Sequence, residues 1–109
     1  MPQAVFVHEG QAIDVIPLSD LAAGDVVVQG ELVGVARLDI KAGTLGALAV
    51  AGVFDFAKAT DVSYSVGAVL YWDDDGDLVT TTTSGHKAIG KVVRAADTTD
   101  PTVRVRLSQ

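Results

Sequence analysis

Four carboxylates crowd into five positions at Asp73, Asp74, Asp75 and Asp77. Oxygen donors packed this densely suit a hard divalent cation such as Ca²⁺. Aligning Gly76 with the glycine of an EF-hand loop, however, places Tyr71 at the first ligand position and Thr82 at the closing Glu, so the spacing fails. The cluster reads as a hydrophilic turn whose mutual repulsion water relieves. His8 and His86 are the two histidines, and no cysteine is present to complete a tetrahedral zinc set with them. Both read as surface residues flanking strands. Ser65 and Ser84 could supply a nucleophile, since a Ser-His-Asp triad is defined by geometry and not by chain order. Yet no Gly-x-Ser-x-Gly elbow occurs, and Ser84-Gly85-His86 reads as a turn. Gly43-Thr44-Leu45-Gly46 lacks the Gly-Lys-Ser/Thr ending of a phosphate loop and runs into an apolar, strand-like segment. The polar residues therefore give no catalytic, metal or cofactor site, and the reading is a protein that is not an enzyme.

The elements that would carry these residues are β-strands. Glycines interrupt every window long enough for a substantial helix, each costing about 1 kcal/mol relative to Ala inside one. Short β-rich runs at 26–28, 32–38, 48–56, 68–72, 78–82, 89–94 and 103–107 alternate with turn residues, the pattern of a compact all-β barrel or sandwich of seven or eight strands. The clearest hairpin spans 69–83, with Asp75-Gly76 as a type I′ turn and the β-branched Thr80–Thr83 row opposite Trp72. Ala23-Gly24, Ala42-Gly43 and Val66-Gly67 each read as a tight reversal before a strand. Residues 18–23 suggest one turn of helix capped by Ser19, and 96–101 reads as an exposed polar loop. Residues 1–10 form an N-terminal arm or a first strand, ahead of a single β domain over 11–109.

Composition narrows the class of function. A length of 109 residues fits one domain. Hydrophobic residues make up 49% of the chain, but they are largely Ala and Val, which suits thin, closely approaching sheets. With 14 acidic residues against 8 basic ones the net charge is -6, and only Arg94, Arg104 and Arg106 lie near one another among the cations. Nucleic-acid binding, which rests on clustered Lys and Arg, is disfavoured. No run approaches the roughly 20 apolar residues of a membrane helix, and no basic, apolar leader opens the chain. The sequence reads as a soluble protein made in a cytoplasm, with neither nucleic acid nor membrane as a partner.

Aromatic residues give the remaining hint. Phe54 and Phe56 share one face of a strand, whereas Tyr71 and Trp72 point to opposite faces. One of that pair belongs to the core and the other to a surface, where Tyr and Trp often anchor interfaces. The apolar Val5-Phe6-Val7 in the arm is a second candidate contact.

The order and spacing of several short motifs carry a resemblance. These are Ala23-Gly24-Asp25-Val26-Val27, Leu32-Val33-Gly34-Val35-Ala36, Ala42-Gly43, Gly52-Val53-Phe54 with Lys58, Gly67, Val69-Leu70-Tyr71-Trp72-Asp73 and Ile89-Gly90. Together, over residues 10–107, the chain resembles the capsid-cement, or head decoration, proteins of tailed bacteriophages. That resemblance implies a compact β domain on the outer surface of the phage head in the virion, made in the bacterial host. Its partners would be the major capsid protein and itself, as a homotrimer, and its role would be to stabilise the expanded head. Under this reading Val5, Phe6, Val7, Tyr71 and Trp72 form the capsid or subunit interface. Other readings of the same residues are a tail or baseplate component, or a β-clip-like carbohydrate-binding module.

Overall fold

The structure is a computed structural model that describes residues 3–109. Its nine strands, all antiparallel, are β1 (Ala12–Val15), β2 (Val26–Gln29), β3 (Leu32–Ala36), β4 (Gly46–Ala49), β5 (Gly52–Ala57), β6 (Val69–Asp73), β7 (Leu78–Thr80), β8 (Lys87–Arg94) and β9 (Thr102–Leu107). They form a four-stranded sheet ordered β1-β4-β3-β2 and a five-stranded sheet ordered β5-β9-β8-β6-β7. The all-β expectation holds, as two packed sheets. The larger sheet curls until its edge strands β5 and β7 approach one another, with Phe56 and Trp72 rings meeting across the gap at 5.9 Å between centroids.

Alternation explains the cores. Every second residue of β9 (Val103, Val105, Leu107) is buried, and the residues between them face water. These side chains join Phe56, Leu70, Trp72, Val79, Ile89 and Val92 inside the curled sheet, and Val33 and Val35 of β3 close it from the other sheet. Because β3 is buried on both faces, its Ala36 points the opposite way and packs with Val15, Ile40 and Leu48 in a second cluster. The Gln109 side-chain amide links the sheets as a substitute strand. Its Oε1 accepts from Val33 N at 2.6 Å and its Nε2 donates to Val33 O at 2.7 Å.

Four sequence expectations are corrected. The single strand over 48–56 is two strands in different sheets. Gly52 takes φ +122, a conformation L side chains rarely adopt, and the chain crosses from β4 to β5 there. No helix forms at 18–23; Leu21 instead makes an antiparallel bridge with Ile40, donating to Ile40 O at 2.8 Å. The β6–β7 connection is a four-residue loop, Asp74–Asp77, in place of a two-residue type I′ turn. Asp77 takes the left-handed position at φ 54, and Asp73 Oδ1 accepts from the backbone N–H of both Asp75 and Gly76 at 3.1 Å. The expected strand over 78–82 stops at Thr80, the first residue of the Thr row, whose Oγ1 accepts from Thr82 N at 3.1 Å and so ends β7. A strand the sequence reading lacked, β1, follows the arm. The expected reversals at Gly24, Gly43 and Gly67 are all turns.

A buried cation fastens one end of the barrel-like sheet. Lys58 is 3% exposed, and its Nζ donates to Ala59 O, Asp97 O and Asp100 O at 2.8, 3.0 and 2.8 Å. An ammonium has three protons to donate, and each finds a carbonyl. The 97–100 loop is thereby held against the end of β5, so this segment, expected to be simply exposed, is anchored from below. Ala96 at its start is buried and bridges Tyr64.

Candidate functional site

Among the described residues the two histidines and the acidic cluster make mostly local contacts. His86 Nδ1 donates to Thr82 O at 2.9 Å, and its Nε2 lies 3.7 Å from Asp73 Oδ1. Both ring nitrogens therefore face protein oxygens, and neither meets Ser84 or Ser65. His8 sits in the exposed segment before β1. Among the described residues no group of three or more His, Cys, Asp or Glu is placed to hold a metal ion. Two carboxylates of the Asp73–Asp77 segment are used locally: Asp73 caps the turn, and Asp74 Oδ1 accepts from Trp72 Nε1 at 3.2 Å.

Apolar surface is where the molecule is unusual. Val5, Phe6 and Val7 are 73%, 78% and 82% exposed. They lead into β1, an edge strand whose one neighbour is β4. Val15 of β1 pairs with Gly46 of β4, so the exposed Ile16 and Leu45 lie together just past that end. Gly43 N donates to Pro17 O at 2.9 Å and brings exposed Leu18 to the same place. Beside them Leu38, Leu45, Ala12 and Ala47 line an open groove of about 820 Å³. Ile16, Leu18, Leu38 and Leu45 thus gather at the Val15 end of the β1–β4 pair, opposite the end where the arm enters β1, and with Val5, Phe6 and Val7 they make seven exposed large hydrophobic residues. Sequence reasoning found three of them, Val5, Phe6 and Val7. Ile16, Leu18, Leu38 and Leu45 were missed because they sit in irregular segments, where no two-residue period separates core from surface.

The pair Tyr71 and Trp72 separates as alternation requires. Leu70 and Trp72 face inward, and Trp72 is 5% exposed. It belongs to the core, so its expected place in an interface is corrected, and the indole offers no free face for stacking a sugar. Tyr71 is half-buried on the outer face with Val69 and Asp73. Phe54 and Phe56 share the inner face of β5 as expected, edge to face at 6.2 Å.

Electrostatic pairing on the outer face of the larger sheet is sparse. Arg104 Nε and NH2 grip Asp55 at 2.9 and 3.2 Å. That double hydrogen bond, helped by Arg94 nearby, holds the Asp55 carboxyl below its ordinary value, and it raises Arg104 in turn. Burial pushes the Tyr64 phenol up; its hydroxyl donates to Val79 O at 3.4 Å.

The described residues thus combine two packed β-sheets with exposed apolar side chains at both ends of the open edge strand β1. The family model described as phage cement protein matches residues 7–107. The chain belongs to the phage cement protein family. It is thus a structural, capsid-associated protein of a bacteriophage, and the match spans all nine strands. No curated protein and no solved structure matches the chain.

Proposed function

We propose that this cement protein binds the outer surface of the phage head, contacts the major capsid protein and stabilises the expanded shell without catalysing a reaction. The observation that carries the reading is the exposed Val5-Phe6-Val7 segment leading into the open edge of β1. An apolar, extended segment next to an unpaired edge can add to a strand of a neighbouring protein, with main-chain hydrogen bonds giving affinity and alternate side chains giving fit. The patch formed by Ile16, Leu18, Leu38 and Leu45 widens the contact, and exposed apolar area of this kind marks interaction surfaces. Tyr71 is the aromatic available for a subunit contact.

The domain acts as a homotrimer, so that three arms engage the shell together. Linked binding events multiply, and avidity exceeds the affinity of any single arm. Removal of residues 1–9 tests the reading. The truncated protein should keep the wild-type circular dichroism spectrum and yet fail to co-sediment with undecorated, expanded heads. Retention of head binding by the truncated protein would remove the arm from the mechanism. Heads decorated with the full chain should also release their DNA at a higher temperature than bare heads. Equal release temperatures would argue against a stabilising role.

A further inference from the structure

The outer face of the five-stranded sheet breaks a rule of strand pairing. Lys91 of β8 stands directly opposite Arg106 of β9, and Arg94 stands opposite Arg104. Like charges in opposed positions on one face repel and destabilise a sheet. Asp55 relieves the second pair by gripping Arg104. Nothing relieves the first: among the described residues no carboxylate lies within 4.0 Å of Lys91 or Arg106. This pair sits in a shallow groove of about 490 Å³ whose walls are otherwise apolar, with Val66, Val69 and Val93 among the lining residues. The surface is therefore positive and partly greasy, on a chain whose net charge is -6.

The most concentrated negative charge in the sequence is at the other end of β6. Val69 opens that strand in the groove, and Asp73 closes it at the loop carrying Asp74, Asp75 and Asp77. Four residues of strand separate the two by about 13 Å. Because β6 is paired on both sides, to β8 and β7, the loop cannot fold back onto the groove of its own chain. Any meeting of the two surfaces must join different copies.

We propose that the Lys91–Arg106 groove is a self-association site that receives the Asp74–Asp77 loop of a second copy. This contact names the surfaces used in the homotrimer proposed above and rests on that reading. Because it joins two different patches, it is heterologous and repeats from copy to copy until the rotation closes a ring. Tyr71, between groove and loop on the same face of β6, lies within the contact.

Lys91→Glu tests the proposal, because it separates folding from association. In the single chain the substitution replaces a repelling pair with an attracting one, a carboxylate now standing against Arg106, so the melting temperature of dilute, dissociated protein at low ionic strength should rise. Association, measured by sedimentation velocity, should weaken by about tenfold or more as the groove loses its positive charge. Wild-type assemblies should also dissociate between about 0.1 M and about 1 M NaCl, as the screening length falls from about 10 Å to about 3 Å. A position-specific check exploits the absence of cysteine: oxidised V69C/D75C should form covalent multimers, whereas each single variant forms no disulfide between copies. If wild type assembles but K91E assembles equally well and V69C/D75C does not cross-link, the groove contact is wrong and self-association proceeds elsewhere. A wild-type protein that is monomeric in low salt and also binds heads as separate single copies would overturn the contact and the trimer together.

Discussion

Lys58 shows how much one side chain can hold in a domain of this size. Its ammonium is enclosed by three carbonyls and no carboxylate, so its charge is balanced by dipoles alone. Replacing it with Met keeps the volume but leaves Ala59, Asp97 and Asp100 carbonyls without their donor. A loss of about 2–3 kcal/mol is expected from the broken charged hydrogen bonds, seen as a lower urea midpoint at unchanged slope. Asp55 gives a second, pH-dependent prediction. The fold lowers its pKa from the ordinary 3.8, chiefly through the Arg104 hydrogen bonds. The unfolded chain therefore takes up the proton first as the solution is acidified. The associated stability is fully present above the ordinary value and is lost as pH falls through the lower, folded one. Asp55→Asn removes this contribution. The urea midpoint of the variant should fall less than that of wild type between about pH 5 and about pH 2.5. Equal slopes would show that the ion pair adds nothing in solution.

Among the elements, β8 depends on one glycine. Gly90 takes φ +153, and a Cβ built there collides with the Arg106 carbonyl of β9. The neighbouring backbone cannot yield without breaking the β8–β9 pairing that continues through Gly90 and Leu107. Gly90→Ala should cost about 3 kcal/mol or more, from backbone strain and a lost ladder bond, and thermal unfolding measures it. Much at this scale was legible in the sequence. Six of the seven expected strand runs overlap a strand of nearly the same extent, because two-residue alternation in segments such as Val103–Leu107 follows directly from one buried face. The seventh, 48–56, reads as one apolar run since each half sends a large side chain into a core, Leu48 into one and Phe56 into the other. Only the backbone at Gly52 divides them. Strand β1, with its sequence Ala-Ile-Asp-Val, escaped because a four-residue edge strand is too short to display a period. The acidic loop misled for a related reason. Asp-Gly favours a two-residue turn locally, but the capping carboxylate of Asp73 stabilises a longer one.

For the whole molecule, the sequence conveyed the strands more readily than the exposed apolar surface. Buried residues obey a pattern, and exposed hydrophobic ones outside strands do not. Val5-Phe6-Val7 stands out because it precedes the domain, whereas Leu38 and Leu45 look like core until the sheet is assembled around them. The arm's separateness explains why its removal should leave folding intact. Residues 3–10 are exposed throughout and join no strand, so the stability change should stay within about 0.5 kcal/mol, while head binding is lost.

The curl of the larger sheet has a further consequence. By bringing β5 toward β7 it turns two rows of backbone donors and acceptors toward each other, where a flat sheet would point them outward to any passing chain. The unpaired rows that remain, at β1 and β2, belong to the smaller sheet, and the arm adjoins the first of them. Two copies are thus hindered from zipping together along the edges of the larger sheet.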